Sequence, residues 1–387
     1  MPDPAPPADV LVQDVDALHA LVAEVAESHR VAFDTESASF HRYIDRVYLI
    51  QLSTDRLTAL VDPLSVADLG AIGALLADPT IEIVFHDADY DLRVLDRDYG
   101  FRARNIFDTR VAAQLAGEPG VGLSSLLERH FGLRLDKRLQ RADWSERPLT
   151  PDMVAYAADD TRHLLRLRDL LVGKLERMGR RHWLEEECSR LEQVRWGTSR
   201  SDDGEGFLRL KGARALRPQT LAVLERIYSW RDALARELDR APFRVLSNHA
   251  LIAIARAQPR DLKALAGIQG VGRSTVQRHG RALLMAVAEG LNTPADRLPV
   301  VPRSRRPAPD PAYDARLERL KSVRTEAAER IAMDPGLLCP NGTLQAIARL
   351  APLDVADLDA VPELRAWQRE VIGDRVLVAA ALDPSPF

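Results

Sequence analysis

Two stretches of this chain repeat each other without a gap. Leu224-Glu225-Arg226-Ile227 recurs as Leu317-Glu318-Arg319-Leu320, and Ala253-Ile254-Ala255-Arg256 as Ala346-Ile347-Ala348-Arg349, both displaced by 93 positions. Asn248 and Asn341, Pro259 and Pro352, Leu265 and Leu358, and Gly280 and Gly373 keep that displacement. An ungapped repeat of this length means two copies of one compact unit. From about Leu216 onward the apolar spacing is helical, with no convincing strand. The carboxyl-terminal half is therefore expected to hold two small all-α domains, 207–293 and 313–387. Residues 294–312 between them carry Pro299, Pro302, Pro307, Pro309 and Pro311 with Arg303, Arg305 and Arg306, a composition that opposes helix and sheet and predicts a stiff connector.

The copies differ in charge. Phe207 to Gly290 has 15 Lys and Arg against 6 Asp and Glu, whereas Tyr313 to Phe387 has 9 against 12. The whole chain carries a net charge of −4, so any affinity for nucleic acid must be local, and the first copy is the better candidate. It also contains Gly267-Ile268-Gln269-Gly270-Val271-Gly272 ahead of a helix bearing Arg273 and Arg278. That turn either offers backbone N–H groups to phosphate or is a tight helix–helix connection. The second copy reads Val361-Pro362-Glu363-Leu364-Arg365-Ala366-Trp367 there, and is expected mainly to pack against the rest of the protein and shape its entrance.

Residues 1–197 read as an α/β domain with its core at about 10–180. A proline-rich start expected to be disordered precedes a helix over Val15–Glu27 and a strand, Val31-Ala32-Phe33-Asp34-Thr35-Glu36. Val47–Leu52 and Leu57–Val61 form further strands joined by the turn Ser53-Thr54-Asp55-Arg56, giving a meander. A helix near Asp68–Ala77, a strand Ile81–Phe85, a helix from about Asp87 and a long helix from Pro151 towards Gly179 follow. Thr198 to Gly206 reads as a polar linker.

Three acidic groups stand out in this domain. Asp34 and Glu36 point to one face at a strand end, and like charges so close repel unless a cation lies between them. Asp87, Asp89 and Asp91 follow His86 at a helix start, where they suit either a metal or the positive end of the helix dipole. Tyr156 and Asp160 share a helix face, with Ala157 and Ala158 small enough to let it lie against a sheet. Taken together, Asp34, Glu36, Asp91 and Asp160 can converge on one site for hard divalent cations, the usual machinery for attack on a phosphodiester. Cys188 and Cys339 have no metal-like or disulfide spacing. No apolar run long enough for a bilayer and no leader is found, so a cytoplasmic location is expected.

These residues carry a resemblance. Asp34-Thr35-Glu36, His86 with Asp91-Leu92, and Tyr156 with Asp160 resemble the motifs of the DEDDy 3′-to-5′ exonucleases. Leu49-Ile50-Gln51-Leu52, Val61-Asp62-Pro63-Leu64, Leu135-Asp136-Lys137 and Asp143-Trp144-Ser145-Glu146-Arg147-Pro148-Leu149 are closer still to ribonuclease D. The two repeats resemble HRDC (helicase-and-ribonuclease-D C-terminal) domains, which bind nucleic acid. The resemblance implies an α/β ribonuclease H-like exonuclease domain followed by two small all-α HRDC domains, the second degenerate. It implies a metal-dependent exoribonuclease that releases nucleoside 5′-monophosphates, with RNA, tRNA precursors among it, as partner, and a monomer without membrane association.

Two divalent ions, Mg²⁺ or Mn²⁺, are implied. Asp34, Glu36 and Asp160 would hold the catalytic ion, and Asp34 would be shared with a second ion whose hydration shell Asp91 holds. Tyr156 would orient the attacking water. Lys137, Arg138, Arg141 and Arg147 form a basic loop that either tracks the RNA backbone or is simply solvated. Phe40, His41 and Tyr43 either stack on bases or pack within their own loop. His86 and Asp108 are expected to be structural. Ser37 departs from the family, many members having a bulky apolar residue there. The alternatives are a DNA exonuclease of the proofreading type and a non-catalytic RNA-binding adaptor, the latter disfavoured because all four carboxylates and Tyr156 are present.

Overall fold

The computed structural model of the chain describes residues 8–197, 206–301 and 310–381. The proline-rich start, the polar linker and the central part of the Pro/Arg connector lie outside the described residues. In the N-terminal domain six strands, β1 (Ala8–Val12), β2 (Arg30–Ser37), β3 (Val47–Ser53), β4 (Leu57–Val61), β5 (Glu82–Phe85) and β6 (Ile106–Asp108), form one mixed sheet in the order β1-β4-β3-β2-β5-β6. The antiparallel meander is β2-β3-β4, and β5 and β6 extend it in parallel beyond β2.

Two strands were not expected from the sequence. β1 lies where disorder was anticipated at its first residues, and pairs in parallel with β4. β6 is three residues long. β6 is too short to display the alternation by which strands are recognised, and β1 directly follows the proline-rich start.

Eight helices surround the sheet: α1 (Val15–Ala26), α2 (Gly70–Ala77), α3 (Asp89–Tyr99), α4 (Thr109–Leu115), α5 (Leu123–Phe131), α6 (Pro151–Arg162), α7 (Leu164–Arg177) and α8 (Arg181–Leu191). The single helix expected after Pro151 is two helices, broken at His163 (φ −106°, ψ 0°). α6 lies across β2, β3 and β4, whereas α7 packs on α4 and β5. One straight helix cannot follow both surfaces. No helix among the described residues is long and apolar enough to cross a membrane.

The two carboxyl-terminal units match helix for helix. α9 (Pro218–Glu237), α10 (Pro242–Val245), α11 (Asn248–Ala257) and α13 (Arg273–Leu291) begin 93 residues before α14 (Pro311–Arg330), α15 (Pro335–Leu338), α16 (Asn341–Leu350) and α17 (Ala366–Ala381). The short α12 (Leu262–Ala266) becomes a 3-10 turn, Ala356–Ala360. Even one polar device is repeated. Arg231 Nη1 donates to the Leu246 carbonyl (3.1 Å) and Asn248 Oδ1 (2.7 Å), and Arg324 Nη1 to the Cys339 carbonyl (2.9 Å) and Asn341 Oδ1 (2.8 Å).

Their surroundings differ. The first copy has its own apolar core, around Leu224, Ile227, Leu251 and Leu283. It meets the N-terminal domain through the loop after β2, where the Ala241 N–H donates to the His41 carbonyl and the Tyr43 hydroxyl to Asp232 (2.9 Å). The core of the second copy is continuous with that of α4, α7 and α8. Trp183 and Trp367 stack with centroids 4.9 Å apart, and Arg180 bridges the carbonyls of Leu115 (2.7 Å) and Ile331 (2.5 Å).

Candidate active site

Alternation along β2 sends Val31, Phe33 and Thr35 to the α1–α3 side and Asp34 and Glu36 to the α6 side. The ladder with β3 slips between Glu36 and Ser37, where the strand leaves the sheet. α6 is fixed over this point in three ways. Thr150 caps it by accepting from the Met153 N–H (3.2 Å) and Pro151 opens it. Ala157 and Ala158 are fully buried, and Thr161 shares a hydroxyl hydrogen bond of 2.7 Å with Ser53 of β3. Tyr156 and Asp160 are thereby held over Asp34 and Glu36. The Tyr156 ring leans on the buried Trp144, centroids 5.9 Å apart.

Asp91 arrives from the other side. Asp108 caps α4 through the N–H groups of Arg110 (2.8 Å) and Val111 (3.1 Å), and also accepts from those of Asp87 (3.2 Å) and Ala88 (2.8 Å). It thus ties the start of α3 to the start of α4, the structural role expected of it. None of Asp87, Asp89 and Asp91 is the N-cap of α3, which is Ala88. Asp89 pairs with Arg93, Asp87 with Arg110, and the buried Asp91 accepts from the Thr35 hydroxyl.

Asp34, Glu36, Tyr156 and Asp160 line one cavity of about 440 Å³. The cavity is also lined by the first turn of α5, Gly122 to Ser125, by Leu135, Asp136, Lys137 and Gln140, and by His86 with the more exposed Asp87 and Arg110 at the rim. Asp91 does not itself line the cavity, yet it is within electrostatic range of Asp34 and Glu36.

Burial raises Asp34 well above the carboxylate range, and Asp91, Asp160 and Glu36 push it further. Glu36 is raised likewise by burial and then by Asp160 and Asp91. Burial lifts Asp91 to about 7 against the opposing hydrogen bond from Thr35, and burial with the neighbouring Asp159 lifts Asp160 to about 7. Tyr156 is held above its ordinary value by burial and by Asp160, Glu36 and Asp34, so its phenol keeps its proton. Burial lowers His86 to about 4, and its Nδ1 lies 2.9 Å from the Thr109 hydroxyl. It is a neutral, oriented side chain, as expected.

The donor set fits hard cations: four buried carboxylates, two of which, Asp34 and Glu36, are raised further by Asp91 and Asp160, offering hard oxygen donors alone. Gln51 stands opposite Asp34 in the β2/β3 register, is fully buried, and both its amide atoms lack a hydrogen-bond partner. That is a polar group awaiting a partner beside the cluster. Among the described residues no three acidic or imidazole side chains are drawn together tightly enough to enclose an ion by themselves.

The basic loop divides on inspection. Arg147 is committed to a structural ion pair. It grips the fully buried Asp62 through Nε (2.7 Å) and Nη2 (2.8 Å) and also donates to the Tyr48 and Trp144 carbonyls. Arg138 pairs with Asp136, and Arg141 lies over the Phe40 ring at 5.0 Å. Lys137 alone of the four lines the cavity. Phe40, His41 and Tyr43 pack rather than wait for bases: Phe40 meets Phe243 edge-on, His41 Nε2 donates to the Arg141 carbonyl (2.9 Å), and Tyr43 meets Asp232 and Arg236. Arg273 and Arg278 are exposed on α13, far along the chain from this cavity. Sequence reasoning passed over Thr35, Gln51 and Arg110. The alternation of β2 could have flagged Thr35 as facing α3 and the family-like segment Leu49–Leu52 contains Gln51, but nothing in the sequence marks Arg110.

A family model described as 3′-5′ exonuclease matches residues 10–176, and the HRDC domain model matches 220–287 and 314–379. The chain is 33% identical to ribonuclease D of Granulibacter bethesdensis over 96% of its length and 92% of that protein. It is 32% identical to ribonuclease D of Pseudomonas paraeruginosa over 90% and 91%. Among solved structures, RNase D of Escherichia coli, described as an exoribonuclease involved in structured RNA processing, is 28% identical with a TM-score of 0.71, covering 96% of this chain and 98% of that one. The catalytic core of RRP6 from Trypanosoma brucei is 29% identical with a TM-score of 0.66, covering 74% and 80%.

Proposed function

Because the chain belongs to the ribonuclease D family, we propose that it trims structured RNAs from single-stranded 3′ tails, tRNA precursors among them, acting as a single chain. It is a 3′-to-5′ exoribonuclease. The observation that carries the assignment of its site is the convergence of Asp34, Glu36, Asp160 and Tyr156, from a strand end and an overlying helix, on one cavity.

Asp34, Glu36 and Asp160, with Asp91 near them, would hold divalent cations, two Mg²⁺ or Mn²⁺ ions in our reading. Bound there, such ions supply positive charge to the scissile phosphodiester and make water a better acid. The chain's own groups do the rest. Asp34 and Glu36 are fixed at the backbone by the β2–β3 ladder and Asp160 by the packing of α6, so only side-chain rotations would be needed to close the carboxylates around an ion. Tyr156 keeps its proton at any working pH, and its hydroxyl orients the attacking water by hydrogen bonding rather than by taking a proton. Trp144 fixes the ring. Lys137 lines the same cavity as the carboxylates and supplies a cation for the phosphate backbone. Hydrolysis of the last phosphodiester leaves a nucleoside 5′-monophosphate and a new 3′-hydroxyl.

The first HRDC copy supplies the grip on the body of the RNA. A contrast between the copies supports this role for Arg273 and Arg278. In the second copy the N–H groups of Ala366 and Trp367, at the start of α17, donate to the Glu186 carboxylate (2.7 and 3.0 Å). The same position in the first copy, the start of α13, is capped by Gly272 with no side-chain partner and is followed by exposed Arg273. One copy has its anion built in, and the other is suited to a phosphate.

A time course on a 5′-labelled, 3′-tailed hairpin RNA and its DNA counterpart, with Mg²⁺, Mn²⁺ or chelator and alongside Asp34→Asn, tests the assignment. A metal-dependent ladder shortening from the 3′ end of RNA, lost in the variant, is expected. Preference for DNA would move the protein to the proofreading type, and tight RNA binding without shortening would make it an adaptor.

A further inference from the structure

The catalytic cavity has two cations in its lining, and one of them is masked. Arg110, from the first turn of α4, pairs through Nη1 with Asp87, and both side chains line the cavity rim, 40% and 57% exposed. The pair is not needed to hold the backbone. Asp108 already binds four N–H groups, from Asp87, Ala88, Arg110 and Val111, and so fixes both residues to one point. An ion pair this exposed adds little to stability. Asp87 itself sits at φ 72°, a conformation that costs an aspartate free energy and turns its carboxylate toward the rim. An acidic side chain in that place repels an incoming RNA backbone unless it has another purpose.

We propose that Arg110 binds a phosphodiester of the RNA tail upstream of the scissile bond, and that Asp87 is its placeholder, displaced when RNA enters. The planar guanidinium fork suits a phosphate as well as it suits a carboxylate. In the free protein Asp87 satisfies it without a strong bond. In the complex a phosphate with its released counterions wins the exchange, and Asp87 swings to solvent. The inference rests on the exoribonuclease reading, because it takes the polymer in this cavity to be RNA.

The test uses the full chain in two backgrounds. With Asp34→Asn to prevent cleavage, affinity for the 3′-tailed hairpin is measured across a salt series. In the active background kcat and KM are separated. Arg110→Ala is expected to weaken binding about tenfold and reduce the salt slope by about 0.7, with most of the kinetic loss in KM, and Arg110→Lys to recover part of it. Asp87→Asn, which tolerates the same backbone conformation, is expected to tighten binding about threefold and lower KM. A structural clamp would instead make both variants weaken binding together with thermal stability. That result, or an Asp87→Asn variant that fails to tighten binding, overturns the proposal. Failure of the unaltered protein to shorten RNA would sink the exoribonuclease reading, and is distinguishable because the binding arm does not depend on cleavage.

Discussion

Thr35 stands between the two carboxylates of β2 and donates a hydrogen bond from its hydroxyl to a third, Asp91 of α3. The strand therefore serves the site from both faces, presenting charge on one and a hydrogen-bond donor on the other. Asp91 rests near 7 because burial raises it while Thr35 holds it down. Thr35→Val keeps the shape and removes the donor, so Asp91 must move higher. The acid limb of kcat/KM against pH is expected to shift to higher pH, with about a tenfold loss at pH 7 that is largely recovered at pH 9. An unshifted limb would separate Asp91 from catalysis.

The carboxylate cluster also makes the metal-free protein sensitive to pH. Carboxyl groups raised from about 4 in the unfolded chain to about 7 at Asp91 and Asp160 bind more protons when folded. Their contribution is present at acid pH and is lost as pH rises through that interval. Thermal melts in chelator should thus fall between pH 5 and pH 8, and Mg²⁺ should raise the midpoint more at pH 8 than at pH 6. Asp34→Asn removes one of the repelling charges. It is expected to stabilise the chelated protein at pH 8, abolish the Mg²⁺ response and reduce activity by about a thousandfold or more.

Arg147 predicts a different failure. Its partner Asp62 is fully buried, and the guanidinium hydrogen bond keeps that carboxyl below its usual range in spite of burial. Arg147→Met leaves a buried charge unpaired and is expected to cost about 3–5 kcal/mol of stability, read by urea unfolding. Lys137→Met, ten residues away in the same loop, should leave the urea midpoint unchanged and raise KM.

The joint with the second HRDC copy can be tested without touching the cavity. Trp367→Ala opens the stack on Trp183 within a shared core and is expected to cost about 3–5 kcal/mol. Glu186→Ala removes the acceptor at the start of α17 and should cost about 0.5–2 kcal/mol. Calorimetry should show the unfolding of the second copy separating from that of the catalytic domain in the tryptophan variant.

Much of this was legible before any coordinates. Asp34 with Glu36 and Tyr156 with Asp160 each obey the period of their element, so a shared face follows from spacing alone. The 93-residue displacement anticipated the start of four paired helices. What stayed hidden depends on partners distant in sequence. Arg147 reads as one more charge in a basic loop until Asp62, 85 positions earlier, is seen beneath it. Phe40, His41 and Tyr43 leave base stacking and packing equally open until the contacts with Phe243, Asp232 and Arg236 of α9 and α10 are seen. β6 was hidden for another reason, being too short to carry a pattern. Asp87 and Arg110 look unremarkable until one carboxylate, Asp108, is seen to bind both backbones.

The shared core of α4, α7, α8 and the second copy has a consequence for how the chain is made. The ribosome delivers the catalytic domain first and the first HRDC copy next, yet the apolar side of α7 and α8 gains its cover only when α14 to α17 emerge. Until then Trp183 and its neighbours face solvent. The nascent enzyme is thus exposed to aggregation and to chaperones for the time it takes to translate an intervening domain that folds on its own core.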